Sequence, residues 1–286
     1  ARCGILAVVE ETGAHFAPFH ESTRIKARGR TFQELEIARD ILDAEVIINL
    51  PKLKTHQMMG FTCAVKNLFG AVVGMRKPRL HLQAGTDKAF FALMLLELAD
   101  EIRPALSIVD AIVGMEGDGP GSGDPVSIGA LIAGAEPVAV DTVAAELVGL
   151  PLELDWPRRI ARESGRAGTR LEEIDLLGND LADLRVRRFR PAKKGDVAFG
   201  LPPFLKRHLR RALTALPVVE EQRCTACGLC VKHCPPKTMT ITGGKVRIDY
   251  TSCIGCFCCQ ELCPHKALTT RQGALLRLSQ WFSRPG

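Results

Sequence analysis

The chain has 286 residues, enough for one large domain with a sizeable core, alone or with a small companion. Hydrophobic residues make up 46% and charged residues 24%, which excludes a disordered or collagen-like chain. The net charge of +6 is a mild basic excess, and aromatics at 5% disfavour base stacking, so no nucleic acid is expected as a partner. No apolar run reaches the ~18–20 residues that span a bilayer, so no transmembrane segment is expected either.

In chain order, RCGILAVVEETG suggests a short helix stopped by Gly13, and Glu36 to Leu42 a second one. EVIINL, from Glu45 to Leu50, has the β-branched composition of a buried strand ended by Pro51. Residues 86–102 read as the clearest helix, with Thr86 or Asp87 as its cap. Leu106 to Val113 and Ile128 to Ala133 read as buried strands, and Pro137 to Leu150 as a helix. This alternation predicts an α/β domain over 1–184 with a mostly parallel sheet. The chain starts at Ala1 without a secretory signal, so a cytoplasmic location and a domain lacking its N-terminal part are expected.

Two segments of this domain carry polar groups at strand ends, where α/β proteins place ligands. In the first, INLPKLKTHQMMGFTCAVKNLFGAVVG, Lys52, Lys54, His56 and Lys66 gather beside Asn67. This set suits a carboxylate or phosphate, or is an exposed basic loop. In the second, VDAIVGMEGDGPGSGDP, a strand bearing Asp110 runs into a Gly-rich loop with Glu116, Asp118 and Asp124. Such a loop allows close backbone approach to a ligand, with carboxylates for a cation or acid–base work, or it simply connects. It lacks the GK[ST] of a phosphate loop and the register of a dinucleotide fingerprint. Asp141 suits the dipole of its helix.

Residues 185–216 read as a basic linker followed by an amphipathic helix, Phe204–Leu216, with Lys206, Arg207, Arg210 and Arg211 mostly on its polar face. That face is either solvated or a docking surface for an acidic redox partner or an anionic membrane. The tail, 272–286, is a further short amphipathic piece.

Nine of the 11 cysteines lie between Cys224 and Cys263, in an internal repeat. CTACGLCVKHCP provides Cys224, Cys227, Cys230, Cys234 and Pro235; CIGCFCCQELCP provides Cys253, Cys256, Cys259, Cys263 and Pro264, each 29 residues later. Three thiolates at intervals of three wrap one face of a cubane, and the fourth points away from it. In this iron–sulfur run the fourth Cys ligates the other cluster. The pattern predicts two 4Fe–4S clusters, one on Cys224, Cys227, Cys230 and Cys263, the other on Cys253, Cys256, Cys259 and Cys234. Structural zinc uses separated Cys pairs, and a disulfide framework needs an oxidising compartment. Cys258 is out of register and reads as a spare thiol. Lys232, His233, His265 and Lys266 flank the ligands as solvated surface.

Residues 217–271, with all eight ligands and both prolines, resemble the bacterial two-cluster ferredoxins, a small α+β domain. PKLKTH, AVKNLFG, GDGPGSGDP, PVAVD and the double cysteine run, in this order, resemble domain-of-unknown-function family 362 of prokaryotic iron–sulfur proteins. That resemblance implies cluster binding, names no substrate, and implies a further N-terminal α/β stretch. It raises Lys52, Lys54, His56, Lys66, Asn67, Asp110, Glu116 and Asp118 to site candidates, with Lys54, His56, Lys66, Asp110 and Glu116 as catalytic ones. Two functions fit. One is a ferredoxin-type oxidoreductase that passes electrons to a small anionic substrate on the α/β domain. The other is an electron carrier docking a ferredoxin, flavoprotein or reductase.

Overall fold

The computed structural model describes residues 4–29, 31–193, 195, 209 and 211–282. Helix α1 (Ile5–Thr12) ends at Gly13, whose φ of 68° is the left-handed turn that stops it. β1 (Ser22–Lys26) and β2 (Glu34–Ala38) form an antiparallel hairpin, followed by a single helical turn, α2 (Arg39–Leu42). The helix expected over Glu36–Leu42 is therefore strand up to Ala38. Leu35 and Ile37 are buried on one side of the hairpin, and cross-strand pairing overrides local propensity there.

The central sheet holds β3 (Ile48–Asn49), β4 (Lys52–His56), β5 (Gly60–Thr62), β6 (Leu106–Glu116) and β7 (Asp124–Gly134). β3 and β4 both pair parallel with β6, which gives the sheet its parallel centre; β5 and β7 are antiparallel additions. Pro51 separates β3 from β4, yet its carbonyl still accepts from Asp110 N at 2.9 Å. One face carries Leu53, Val109, Ala111 and Ala130, buried beneath helix α6 (Pro137–Leu147). The opposite face carries Ile48, Lys52, Asp110 and Leu131, all exposed. The buried strand expected over Glu45–Leu50 is thus reduced to two residues, with Val46, Ile48 and Leu50 open to solvent.

The second half of the core forms where α3 (Ala64–Asn67), α4 (Arg76–Ala84), α5 (Lys88–Ile102) and α7 (Trp156–Glu163) meet. Asp87 caps α5 by accepting from Phe90 N at 2.9 Å. Asp141, although it lies in α6, serves another helix. Its carboxyl accepts from Ala64 N at 2.5 Å and Val65 N at 3.2 Å, fixing the start of α3 and so the position of Lys66. α8 (Leu181–Leu184) closes the domain.

The C-terminal unit holds β8 (Ala215–Val219), α9 (Leu229–Lys232), β9 (Met239–Thr242), β10 (Lys245–Ile248), α10 (Cys258–Glu261), β11 (Leu268–Gln272) and α11 (Ala274–Phe282). β8 pairs antiparallel with β11, and β9 with β10. This is a small α+β unit following the α/β domain, as expected. Of the helix expected over Phe204–Leu216, residues 204–208 and 210 lie outside the described residues; Leu209 and residues 211–213 are helical, while Ala215 and Leu216 are strand, drawn into pairing with Gln272 and Arg271.

Burial pushes the Asp141 carboxyl up to about 8, with Asp155 nearby adding to the rise. The folded value lies above the unfolded one, so the unfolded state gains proton-release energy first as pH rises. Stability should therefore fall between about pH 4 and 8 from this group, and level off above. Urea unfolding of Asp141→Asn should show a flatter pH dependence across pH 5.5–8.5 than the wild type. Asp141→Ala should cost about 1–3 kcal/mol by orphaning two buried N–H groups.

Candidate iron–sulfur centre and the adjoining cleft

The cysteine repeat is a repeat of backbone as well as of residues. α9 and α10 start 29 residues apart, as do β9 and β11. Left-handed φ values recur at matched positions: Ala226 (50°) and Gly255 (68°), Gly228 (79°) and Phe257 (60°), Lys237 (53°) and Lys266 (50°). Each non-glycine in that region costs about 1–2 kcal/mol, so the loop shape is imposed by what it surrounds. The fourth cysteine of each run accepts a matched backbone bond: Thr238 N to Cys234 Sγ at 3.4 Å and Ala267 N to Cys263 Sγ at 3.3 Å.

Two cavities result. One is walled by Cys224, Cys227, Cys230 and Cys263, with Val219, Val246 and Leu268. The other is walled by Cys234, Cys253, Cys256 and Cys259, with Pro217, Ile254 and Phe257. Each draws three thiols from one run and one from the other, the crossed grouping expected from the spacing. Sulfur donors in mostly apolar walls, with no carboxylate among the lining residues, are the donor set of an iron–sulfur cluster. Among the described residues no three His, Cys, Asp or Glu side chains close on a single ion; the thiols are spread around each wall. Burial, with Cys256 and Cys253 next to it, pushes the Cys259 thiol well up. Iron binding at Cys259 would therefore displace a proton from its thiol.

The halves of the unit differ in their surroundings. In the first, Cys227 and Leu229 are exposed. In the second, Cys256, Phe257 and Cys258 are buried in the α/β core with Phe69 and Phe91. The contact is completed by polar fittings from the Gly-rich loop. Asp118 Oδ2 accepts from Thr270 N at 2.9 Å, the Asp118 carbonyl accepts from Gln260 Nε2 at 3.2 Å, and Ser122 Oγ donates to Leu268 O at 2.8 Å.

Beside this contact lies a basic cleft. The ammonium groups of Lys66 and Lys77 each stand 6.0 Å from the centre of the Phe69 ring, and His81 meets the same ring edge-on at 5.7 Å. Across the cleft, Glu261 at the end of α10 keeps solvent access while facing Lys66, Lys54, His81 and Lys77. Burial works to raise its carboxyl, but these groups together, Lys66 foremost, hold it below the usual range. His56 is buried and accepts at Nδ1 from Met58 N (3.1 Å) and Met59 N (3.2 Å), which places its proton on Nε2. Burial and then Lys66 and Lys54 push the His56 imidazole well down, so it is neutral. His81, stacked on Phe91 at 4.2 Å, is pushed down to about 3 by burial and then Lys66.

Residues 1–146 match the family described as domain of unknown function (DUF362), and residues 216–264 match the 4Fe-4S dicluster domain. The chain belongs to the DUF362 family. Over 203 residues this DUF362 chain is 40% identical to the Thylakoid-associated protein sll1697 of Synechocystis sp., a match covering 70% of the chain and 60% of that relative. The chain thus spans less than two thirds of the relative's length. The C-terminal unit is a 4Fe–4S ferredoxin-type domain, the class that binds iron–sulfur clusters for electron transfer. Among the described residues no helix is long and apolar enough to cross a membrane.

In this DUF362 chain, Lys54, His56 and Lys66 come together, and the other sequence candidates have separate partners. Lys52 and Asp110 pair with each other at 2.7 Å on the open sheet face. Asn67 Nδ2 donates to Asn49 Oδ1 at 2.8 Å, inside a network that reaches Ser107. Glu116 is held by Arg190, whose Nε and backbone N donate at 2.6 and 2.9 Å, and Asp124 takes the same guanidinium at 2.8 Å. Asp118 docks the C-terminal unit. Lys77, His81 and Glu261 were not legible as site residues, because only the fold brings α4 and α10 to one cleft. A methyl at Gly121 would stand 2.6 Å from the Gln260 carbonyl. Gly121→Ala should therefore loosen the contact, seen as faster hydrogen exchange over α10 and β11 with cluster absorbance retained.

Proposed function

We propose that this chain is an iron–sulfur redox protein that holds two 4Fe–4S clusters and passes electrons to an anionic substrate in the cleft of the α/β domain. The carrying observation is the crossed grouping of thiols into two cavities, one with the exposed Cys227 in its wall and one with Cys256 and Phe257 packed into the α/β core. Each cluster, when bound, stores and releases one electron at a time. Cys224, Cys227, Cys230 and Cys263 would hold the one near solvent; Cys234, Cys253, Cys256 and Cys259 the one near the cleft. The exposed Cys227 edge suits uptake from a protein donor. Lys54 and Lys66 attract and orient the anion, and neutral His56 lends polarity without competing charge. A reducing, cytoplasmic compartment belongs to the reading, since the thiols must stay free until iron arrives.

Two experiments test it. In anaerobically prepared protein, Cys234→Ala and Cys253→Ala should abolish the same electron-spin signal, and Cys263→Ala and Cys224→Ala the other. Signals that sort by run instead would refute the crossed ligation. Reduced protein should be reoxidised by a small anionic metabolite, and Lys66→Ala should slow this at least tenfold, an effect of ~1.4 kcal/mol on the barrier. A screen in which no such compound draws electrons would remove the oxidoreductase.

One observation favours a second reading. The Gly-rich loop docks the ferredoxin unit, which is what a platform for a pure electron carrier would need. Reoxidation by an acidic redox protein with no small substrate present would select this reading.

A further inference from the structure

We propose that α11 (Ala274–Phe282) docks on the surface of an anionic bilayer, lying in the headgroup plane with Leu275 and Leu278 turned to the acyl boundary and Arg271 and Arg277 on the lipid phosphates. The redox reading above gives this tail no role.

The first ground is the face that α11 turns outward. Leu276 is fully buried, so its side of the helix meets the protein. At 3.6 residues per turn, the direction opposite Leu276 falls on Ala274 and Leu278, with Leu275 on one flank and Arg277 on the other. All four are exposed, Leu275 at 37% and Leu278 at 50%. The helix continues to Phe282, which puts Trp281 at the position three residues beyond Leu278. Leucine and tryptophan positions flanked by arginine are the pattern of a helix that lies on a membrane.

The second ground is charge. From Leu262 to Gly286 the sequence has Lys266, Arg271, Arg277 and Arg284 and no Asp or Glu. Arg271 and Arg277 are exposed, and among the described residues neither pairs with a carboxylate. The third ground is tertiary. Gly273 N donates to Thr214 O at 3.1 Å, and a methyl at Gly273 would collide with the carbonyls of Arg211 and Ala212. The fold therefore sets α11 beside the end of the basic segment 185–216, where Arg211 is exposed as well. A bilayer meets both needs at one depth, with acyl chains under the leucines and phosphates beside the arginines. An acidic protein surface would satisfy the arginines and leave Leu278 against charge.

With nine residues α11 is far short of a span, so the contact is with one leaflet. β11 runs from Leu268, in the wall of the first cavity, to Gln272, just before the helix. Four steps at ~3.3 Å each make about 13 Å. Docking thus keeps the cavity with the exposed Cys227 close to the bilayer, within reach of a membrane-bound electron carrier.

The test is co-sedimentation of the anaerobic, cluster-loaded protein with phosphatidylcholine vesicles, pure or carrying about a third phosphatidylglycerol, in ~0.1 M chloride. The anionic vesicles should take up the protein about tenfold more strongly than the pure ones. Leu275→Ser with Leu278→Ser should weaken that uptake about tenfold, and so should Arg271→Gln with Arg277→Gln, with iron content and hydrogen exchange over β8 and β11 unchanged. No uptake by the anionic vesicles would overturn the proposal. Uptake that the serine variant retains would overturn it too, because a purely electrostatic contact needs no leucines. If the serine variant loses its β8–β11 protection, the unaltered protein decides: anionic vesicles brominated on their acyl chains should quench its tryptophan emission, and unquenched emission would refute insertion.

Discussion

Phe257 stands where the first half of the cysteine repeat has Gly228, and its buried ring ties the ferredoxin unit to the α/β domain. A phenyl ring there accepts the left-handed strain of about 1–2 kcal/mol because full burial of the side chain is worth about 1.5–3 kcal/mol. The neighbouring substitution, Cys258 for Leu229, follows the same logic: a small thiol fits against a packed wall where a leucine in the other half faces water. These two differences between the copies lie where one of them meets another domain. The asymmetry sets which cavity looks outward and which looks inward, and every functional inference about direction depends on it.

The carboxylates of the α/β domain show how far geometry can redirect side chains that look chemical. Glu116 and Asp124 clamp Arg190, Asp110 pairs with Lys52, and Asp118 receives Thr270 and Gln260 from the other unit. The glycines of that loop permit close approach, but to the protein's own backbone: Thr55 beside Gly119 and Gln260 beside Gly121. The lysines behave in the opposite way. Lys66 is carried into the interior by a helix whose start Asp141 holds, and a carboxylate that faces it, Glu261, belongs to the ferredoxin unit. The charge that matters in the cleft is therefore set jointly by two parts of the chain.

Much of the C-terminal unit was legible from residues alone. Ligand spacing is a local property: C-x2-C-x2-C-x3-C-P encodes a loop, a helical turn and an exit, and a second copy encodes the partner half. The helices at 88–102 and 137–147 were legible for the same reason, because a capping Asp87 and a leading Pro137 act within one turn.

What the sequence could not decide was which apolar face has a cover and which polar groups meet. Strand composition over 45–50 is the same whether a layer lies above it or not, so the exposure of Val46, Ile48 and Leu50 needed the sheet's surroundings. Leu35 and Ile37 became strand residues only through pairing with β1. Lys77, His81 and Glu261 are separated by up to 184 positions along the chain, and no local pattern relates them. Long-range packing brought them to one cleft, since it alone sums burial and charge over groups that never touch in sequence.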